Sequence, residues 1–143
     1  MTPRYAKGIA TLLNARNHLA RNYTEADILQ DARQYEYEVR DGNVVACVER
    51  KEVQWYQWEV RHLSVASSHE GAGLAFALYQ RAERFAIGEG ACILQCTIRT
   101  GNTRSEAFFT RQGYRNVGVF LYPPTSHTVG VWQKVVSPPN PGP

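Results

Sequence analysis

Gly71 and Gly73 stand one residue apart in the stretch SSHEGAGLAFALYQRAERFA (67–86), where an apolar strand-like run gives way to an amphipathic helical pattern. Glycines at such a corner let successive backbone N–H groups converge, and a helix start carries partial positive charge. The chemistry this spacing suits is therefore anion binding, with a pyrophosphate as a natural guest of residues 70 to 75. A plain tight turn with close helix–strand packing accounts for the same two glycines and, on spacing alone, is the commoner explanation. A P-loop is excluded, because no Lys-Ser/Thr pair follows the last glycine. A dinucleotide fingerprint is excluded too, since a third glycine and a later acidic strand end are missing.

The elements that must position this corner are readable from patterning. Ile9, Leu12, Leu13 and Leu19 predict a first helix over about 6–20, and Thr24 with Asp27 marks the start of a second, shorter one. YEYEVRDGNVVACVERKEV reads as two strands turning at Asp41-Gly42-Asn43, and YQWEVRHLSVA as a further strand. The helix after the glycines runs to about Ile87, with Leu74, Leu78, Ala82 and Phe85 as its apolar stripe, and Gly88 and Gly90 end it. ACILQCTIR is an apolar strand. NTRSEAFFTRQG is a short helix opened by Asn102 and closed by Gly113, and YRNVGVFLY and HTVGVWQKVV are two last strands separated by Pro123-Pro124. Strands on both sides of a strand–helix–strand unit define an α/β (α+β) class with a mixed, mostly antiparallel sheet of about six strands, a parallel centre and about four helices. A single domain is expected over 1–136, with SPPNPGP (137–143) as an extended or disordered tail.

Composition narrows the partners. The chain has 143 residues, one domain in size, and a formal net charge of +3 with its basic residues scattered. That balance favours an acidic ligand weakly and leaves nucleic acid unsupported as a partner. Cys47, Cys92 and Cys96 sit in apolar runs without a C-x-x-C or a histidine at metal spacing, so reduced thiols, no metal and a cytoplasmic location are expected. Cys96 reads as a small buried hydrophobe rather than a nucleophile. No segment approaches the roughly 20 apolar residues that span a bilayer, so no membrane partner is expected.

The context of the glycines resembles the GNAT superfamily of acyl-CoA-dependent N-acyltransferases. Leu63-Ser64-Val65 followed by Glu70-Gly71-Ala72-Gly73-Leu74-Ala75 is similar to that family's L-x-V strand end and R/Q-x-x-G-x-G/A helix start. Asn102, Ser105, Phe108, Phe109, Gly113 and Tyr114 are similar to its N-x-x-A/S-x-x-F-Y-x-x-x-G-F/Y motif, and the order of elements from about 35 to 136 fits as well. The resemblance implies a parallel pair, EVRHLSV and ILQCTIR, splayed at a bulge, with pantetheine pairing to backbone at Leu63 and Val65. The co-substrate would be acetyl-CoA, its pyrophosphate cradled by Gly71 to Ala75, and Asn102, Phe108 and Phe109 belong to the same cofactor-binding motif. A homodimer through the final strands is a further expectation from relatives.

Two departures carry consequences. Glu70 places a carboxylate where the family has Arg or Gln, so either it points to solvent or nearby cations such as Arg61, Arg81 or Arg104 compensate. Phe109 replaces the tyrosine whose phenol protonates the departing thiolate, leaving water or another group, Ser105 or Tyr114, as the expected donor. Amine attack on a thioester needs a neutral amine, and Glu59, four residues before Leu63, is the expected base; pairing with Arg61 or Lys51 is its structural alternative. Strand alternation puts Glu59, Arg61 and Leu63 on one face and His62 on the other, where it reads as a satisfied core histidine. Trp55, Tyr56 and Trp58 are expected to pack in the core in preference to covering an acceptor. The implied activity is transfer of an acetyl or similar acyl group to a primary amine, on a small molecule or a protein, by direct attack in a ternary complex. The alternatives are a catalytically weakened CoA-binding or protein-interaction module, and an acyltransferase acting on nucleic acid.

Overall fold

The computed structural model describes residues 1–16 and 21–137, so Leu19 and the tail from 138 onward lie outside the described residues. Its elements are helix α1 (Pro3–Arg16), helix α2 (Glu25–Gln30), strands β1 (Tyr35–Arg40), β2 (Asn43–Gln54) and β3 (Gln57–Val65), helix α3 (Leu74–Gly88), strand β4 (Ile93–Arg99), helix α4 (Thr103–Arg111), and strands β5 (Arg115–Tyr122) and β6 (His127–Val135). The six strands form one mixed sheet in the order β1-β2-β3-β4-β6-β5. Among the described residues no strand precedes α1, and no helix is long and apolar enough to cross a membrane.

Two compact units share this chain. The first holds Met1–Lys51 and Val60–Arg84, the second Glu52–Glu59 and Phe85–Pro143, so β3 and α3 each run through both. In the first unit, α1 begins at Pro3, earlier than the apolar spacing predicts. Proline suits a first helical turn, and Thr2 Oγ1 accepts from the Tyr5 N–H at 3.4 Å. One face of α1, Ala6, Ile9, Ala10, Leu12 and Leu13, is buried with Ile28, Tyr35 and Cys47. Burying each of the larger aliphatic side chains contributes about 1.5–3 kcal/mol. The capping box of α2 forms as the sequence predicts: the Thr24 hydroxyl accepts from the Asp27 N–H, and the Asp27 carboxylate from the Thr24 N–H. β1 and β2 pair antiparallel from Tyr35↔Glu49 to Arg40↔Asn43, and the turn between them has Asp41 at φ 51° and Gly42 at φ 77°.

In the second unit, β4 and β6 pair antiparallel along the whole of β4, and β6 pairs antiparallel with β5, with an irregularity between Asn116 and Gly118. Cys96, Leu94 and Ile98 of β4 are buried. The three aromatics before and within β3 separate. Trp58 is buried, its ring edge-on to Phe85 at 5.7 Å, as expected of a core residue. Trp55 is 74% exposed, contrary to that expectation, because Trp55 and Tyr56 form the turn between β2 and β3 rather than strand. The buried stripe of α3 likewise ends at Ala86 instead of Phe85, which is 38% exposed: four residues from Ala82 is closer to a full helical turn than three.

Candidate active site

The glycine corner has the geometry its spacing suggests. Gly71 and Gly73 adopt φ +81° and +77°, and a Cβ built at either meets no heavy atom within 4 Å. A turn needed only for tight packing would press these positions against a neighbour. Here the space is open instead. The first bond of α3 runs from the Ala77 N–H to the Gly73 carbonyl at 3.1 Å, so the N–H groups of Leu74, Ala75 and Phe76 precede the helical ladder. A diphosphate fits this corner on geometry: left-handed glycines, unobstructed space and helix-start donors coincide at one place.

Glu70 sits directly before Gly71, and its carboxylate pairs with the Arg16 guanidinium at the end of α1. The cation paired with Glu70 is Arg16, which was not among the candidates named from sequence. Arg61 pairs with Glu49 at 2.9 Å and Arg81 with Glu38, so both are held elsewhere. Counted back from Gly71, the R/Q position of the family pattern falls on Ser68 and not on Glu70. Ser68 lies in a short 3-10 turn (Ser67–His69) with its hydroxyl 2.8 Å from His69 Nδ1.

Upstream of the corner, β3 departs from regularity. It pairs in parallel with β4 from Gln57↔Ile93 to Glu59↔Gln95, over three of its nine residues. Three residues later His62 takes φ 55°, the one left-handed residue inside a strand among the described residues. Regular alternation would place Arg61 and His62 on opposite faces. Both instead approach one oxygen, Glu49 Oε1, Arg61 Nε at 2.9 Å and His62 Nδ1 at 3.6 Å, which corrects the facing expected from sequence. The reading of His62 as a satisfied, largely buried histidine does hold. Tyr23 Oη lies 3.1 Å from Nε2 and Tyr35 Oη 3.4 Å from Nδ1, while the His62 carbonyl accepts from Ser64 Oγ at 3.2 Å. Burial, then the neighbouring Arg61 and Arg21, lower the imidazole pKa to about 4, so the ring is neutral at pH 7. Tyr23 is held in place by reciprocal 2.8 Å bonds with Asn14. Burial, then the Glu49 charge, also raises the Tyr35 phenol well above its ordinary range.

Glu59 closes the parallel ladder opposite Gln95, half-buried. Beside it runs a chain of amides that the sequence reading missed: Gln95 Oε1 accepts from Gln57 Nε2 at 3.2 Å and from Gln133 Nε2 at 2.8 Å. Its signal was a glutamine next to an apolar or aromatic residue in each of three strands, YQW, LQC and WQK. Neither Arg61 nor Lys51 is an ion-pair partner of Glu59 among the described residues, Arg61 being engaged by Glu49. Cys96 is buried, and burial, then the Glu59 charge, pushes its thiol far above the ordinary range, which agrees with an inert side chain.

The second motif builds α4 and its ends. Asn102 Oδ1 accepts from the Ser105 N–H at 3.3 Å, capping the helix. Phe109 is buried, with the rings of Phe108 and Tyr114 edge-on at 5.2 and 5.0 Å. Gly113 takes φ +95° and lets the chain reverse, so the Tyr114 N–H returns to the Phe109 carbonyl at 3.0 Å. Ser105 lies one turn before Phe109 on the same helical face, and Tyr114 flanks the ring from beyond the helix end.

The comparisons agree with this architecture. Residues 7–114 match the acetyltransferase (GNAT) family, and the chain belongs to that family. No curated protein matches it in sequence. Among solved structures it is similar to Ard1 from Thermoplasma volcanium, at 16% identity over 96% of this chain and 95% of that one, with a TM-score of 0.83. It is similar also to YncA from Salmonella typhimurium with its cofactor acetyl-CoA (16%, 100% and 95%, 0.82). A third is the ribosomal-protein-alanine N-acetyltransferase from Brucella melitensis (18%, 95% and 97%, 0.80). At these identities the likeness is one of fold, and the mixed six-stranded sheet with its parallel pair is that fold.

Proposed function

We propose that this protein transfers an acetyl or similar acyl group from acyl-CoA to a primary amine by direct attack in a ternary complex. The observation that carries the reading is the open glycine corner at the start of α3, in a chain of the acetyltransferase family. In this reading the N–H groups of Gly71, Ala72, Gly73, Leu74 and Ala75 hold the diphosphate of the acyl donor, and the backbone of Leu63, Ser64 and Val65 pairs with its pantetheine arm. Asn102, Phe108 and Phe109 line the same donor. The thioester supplies an activated acyl carbon.

Glu59 takes a proton from the acceptor ammonium, directly or through one water, because only the neutral amine has a lone pair to form the C–N bond. As that bond forms the C–S bond breaks: the nitrogen, positively charged on attack, sheds one proton to water to give the neutral amide, and the departing thiolate takes one up to leave as free thiol. Phe109 donates none, so in this reading the proton comes from Ser105, one turn earlier on α4, or from Tyr114, whose ring lies edge-on to Phe109. Structures of similar fold include a ribosomal-protein-alanine N-acetyltransferase, which supports an amine acceptor carried on a protein.

The test is calorimetry with acetyl-CoA followed by detection of free thiol across a panel of protein N-termini, lysine peptides and small amines. Saturable binding with amine-dependent thiol release is the expected result. No binding at millimolar acetyl-CoA would sink the reading, and binding without release from any amine would favour a weakened CoA-binding module.

A further inference from the structure

A groove of about 490 Å³ runs along α1 as far as Arg16 and Ser67. Its lining contains Arg4, Lys7 and Arg16 and not one carboxylate. Arg4 and Arg16 are twelve residues apart on one helix, which puts the two ends of the groove about 18 Å from each other. The floor is apolar, formed by Leu12, Ala15, Val44 and Ala66. Two features make this floor rigid. Gly8, without a side chain, brings α1 close to β2, so that a Cβ there would lie 3.0 Å from Val44 Cγ2. The Ala66 N–H is bonded to the Val45 carbonyl at 2.8 Å, which ties the segment after β3 to the same strand. Among the described residues no carboxylate pairs with Arg4 or Lys7, whereas Arg16 is engaged by Glu70.

From this charge complementarity we infer that the α1 groove is a docking site for an extended acidic peptide segment, separate from the acyl-transfer chemistry. Eighteen ångströms accommodates about five extended residues. Alternate side chains of such a segment meet the apolar floor, and acidic ones meet Arg4 and Lys7, one turn apart on α1. A nucleic-acid strand fits less well, because no aromatic side chain lines the groove to stack a base. The groove ends at Arg16 and Ser67, so a protein bound there is anchored beside the corner that opens α3.

The probe is a fluorescein-labelled five-residue peptide alternating Glu and Leu, with its amine acetylated so that it is no acceptor, read by fluorescence anisotropy with the full chain. Binding is expected, weakening about tenfold in Arg4→Glu/Lys7→Glu through reversal of two charge contacts. Ala15→Trp, which fills the floor without altering charge, is expected to weaken it comparably. Acetyl-CoA binding by the same variants, measured in parallel, is expected to stay unchanged, which separates this site from the acyl-donor site. Equal binding of a Gln/Leu peptide, indifference to both variants, or tighter binding of a single-stranded oligonucleotide of the same charge would overturn the assignment.

Discussion

Gly73→Ala separates the two roles a left-handed glycine can have. At φ +77° an alanine is strained whatever the space around it, at a cost of about 1–2 kcal/mol. No atom lies within 4 Å of the new Cβ, so packing adds nothing to that cost in the free protein. For a domain near this size, a loss of that order lowers Tm by a few degrees. The acyl donor meets a different situation, because the methyl group enters the space through which a diphosphate reaches the helix-start N–H groups. Displacing one charge-assisted hydrogen bond costs about 1.5–3 kcal/mol, so the Kd for acetyl-CoA should rise about 10- to 100-fold. Calorimetry reads the affinity and differential scanning reads the Tm. Gly88→Ala, at a helix end with open space and no positive φ, is the control: affinity should be unchanged and Tm equal or slightly raised, never lowered. A Gly73→Ala protein with the lowered Tm but an affinity within twofold of the parent would show that the corner is structural only, and the proposed cradle would fall.

The remaining predictions concern charge and protons. His62 has its pKa lowered from 6.5 to about 4 by burial, so the unfolded chain binds a proton that the folded chain refuses between those values. Stability is therefore full above pH 6.5 and falls by up to about 3 kcal/mol toward pH 4. His62→Asn, which tolerates a left-handed φ, should flatten that slope relative to the parent in urea titrations at pH 7 and 4.5, and an unaltered slope would refute the assignment. Glu70→Gln should tighten acetyl-CoA binding about three- to tenfold at low salt, with the gain fading at high salt, whereas Arg16→Ala should weaken it. Similar affinities for all three proteins would place the carboxylate out of range of the diphosphate. Loss of whichever hydroxyl reprotonates the thiolate should cost about 100-fold in kcat with little change in the KM for acetyl-CoA, so Ser105→Ala and Tyr114→Phe should differ sharply. If neither falls, the proton comes from elsewhere.

What was legible in the sequence is what short-range chemistry writes there. The Thr24–Asp27 capping box, the Asp41-Gly42 turn, the Asn102 cap and the Gly113 reversal each depend on residues within a few positions of one another, and each formed as read. Pairing across distance was not legible. Glu70 finds Arg16 54 residues away, and nothing in the type or spacing of either residue selects it over Arg61 or Arg81. The glutamine chain is hidden for the same reason, since it exists only once β4 lies between β3 and β6. His62 is a third kind of miss. A glycine advertises positive φ because it lacks the Cβ that penalises it, but a histidine in that conformation looks like any other strand residue.

That histidine is also where the fold makes its strongest commitment. A left-handed non-glycine residue costs of order 1–3 kcal/mol and persists only when its surroundings over-determine it. At His62 they do. Two tyrosine hydroxyls meet the two ring nitrogens, Glu49 lies beside Nδ1, and the carbonyl of the same residue accepts from Ser64. A carboxylate next to Nδ1 favours the proton on that nitrogen, which leaves Nε2 to accept from Tyr23. The ring is thereby held in position between the two tyrosines. A strand interrupted in this way does not continue as a flat partner to its neighbour, and the ladder with β4 is limited to Gln57–Glu59. The residues after the interruption, Leu63 to Val65, are those proposed to meet an extended ligand. His62→Gly would remove the strain and the ring together: a β3 backbone that keeps its φ and its donor affinity after that change would show that the chain path alone sets this region, and a loss of affinity would show that the caged imidazole does.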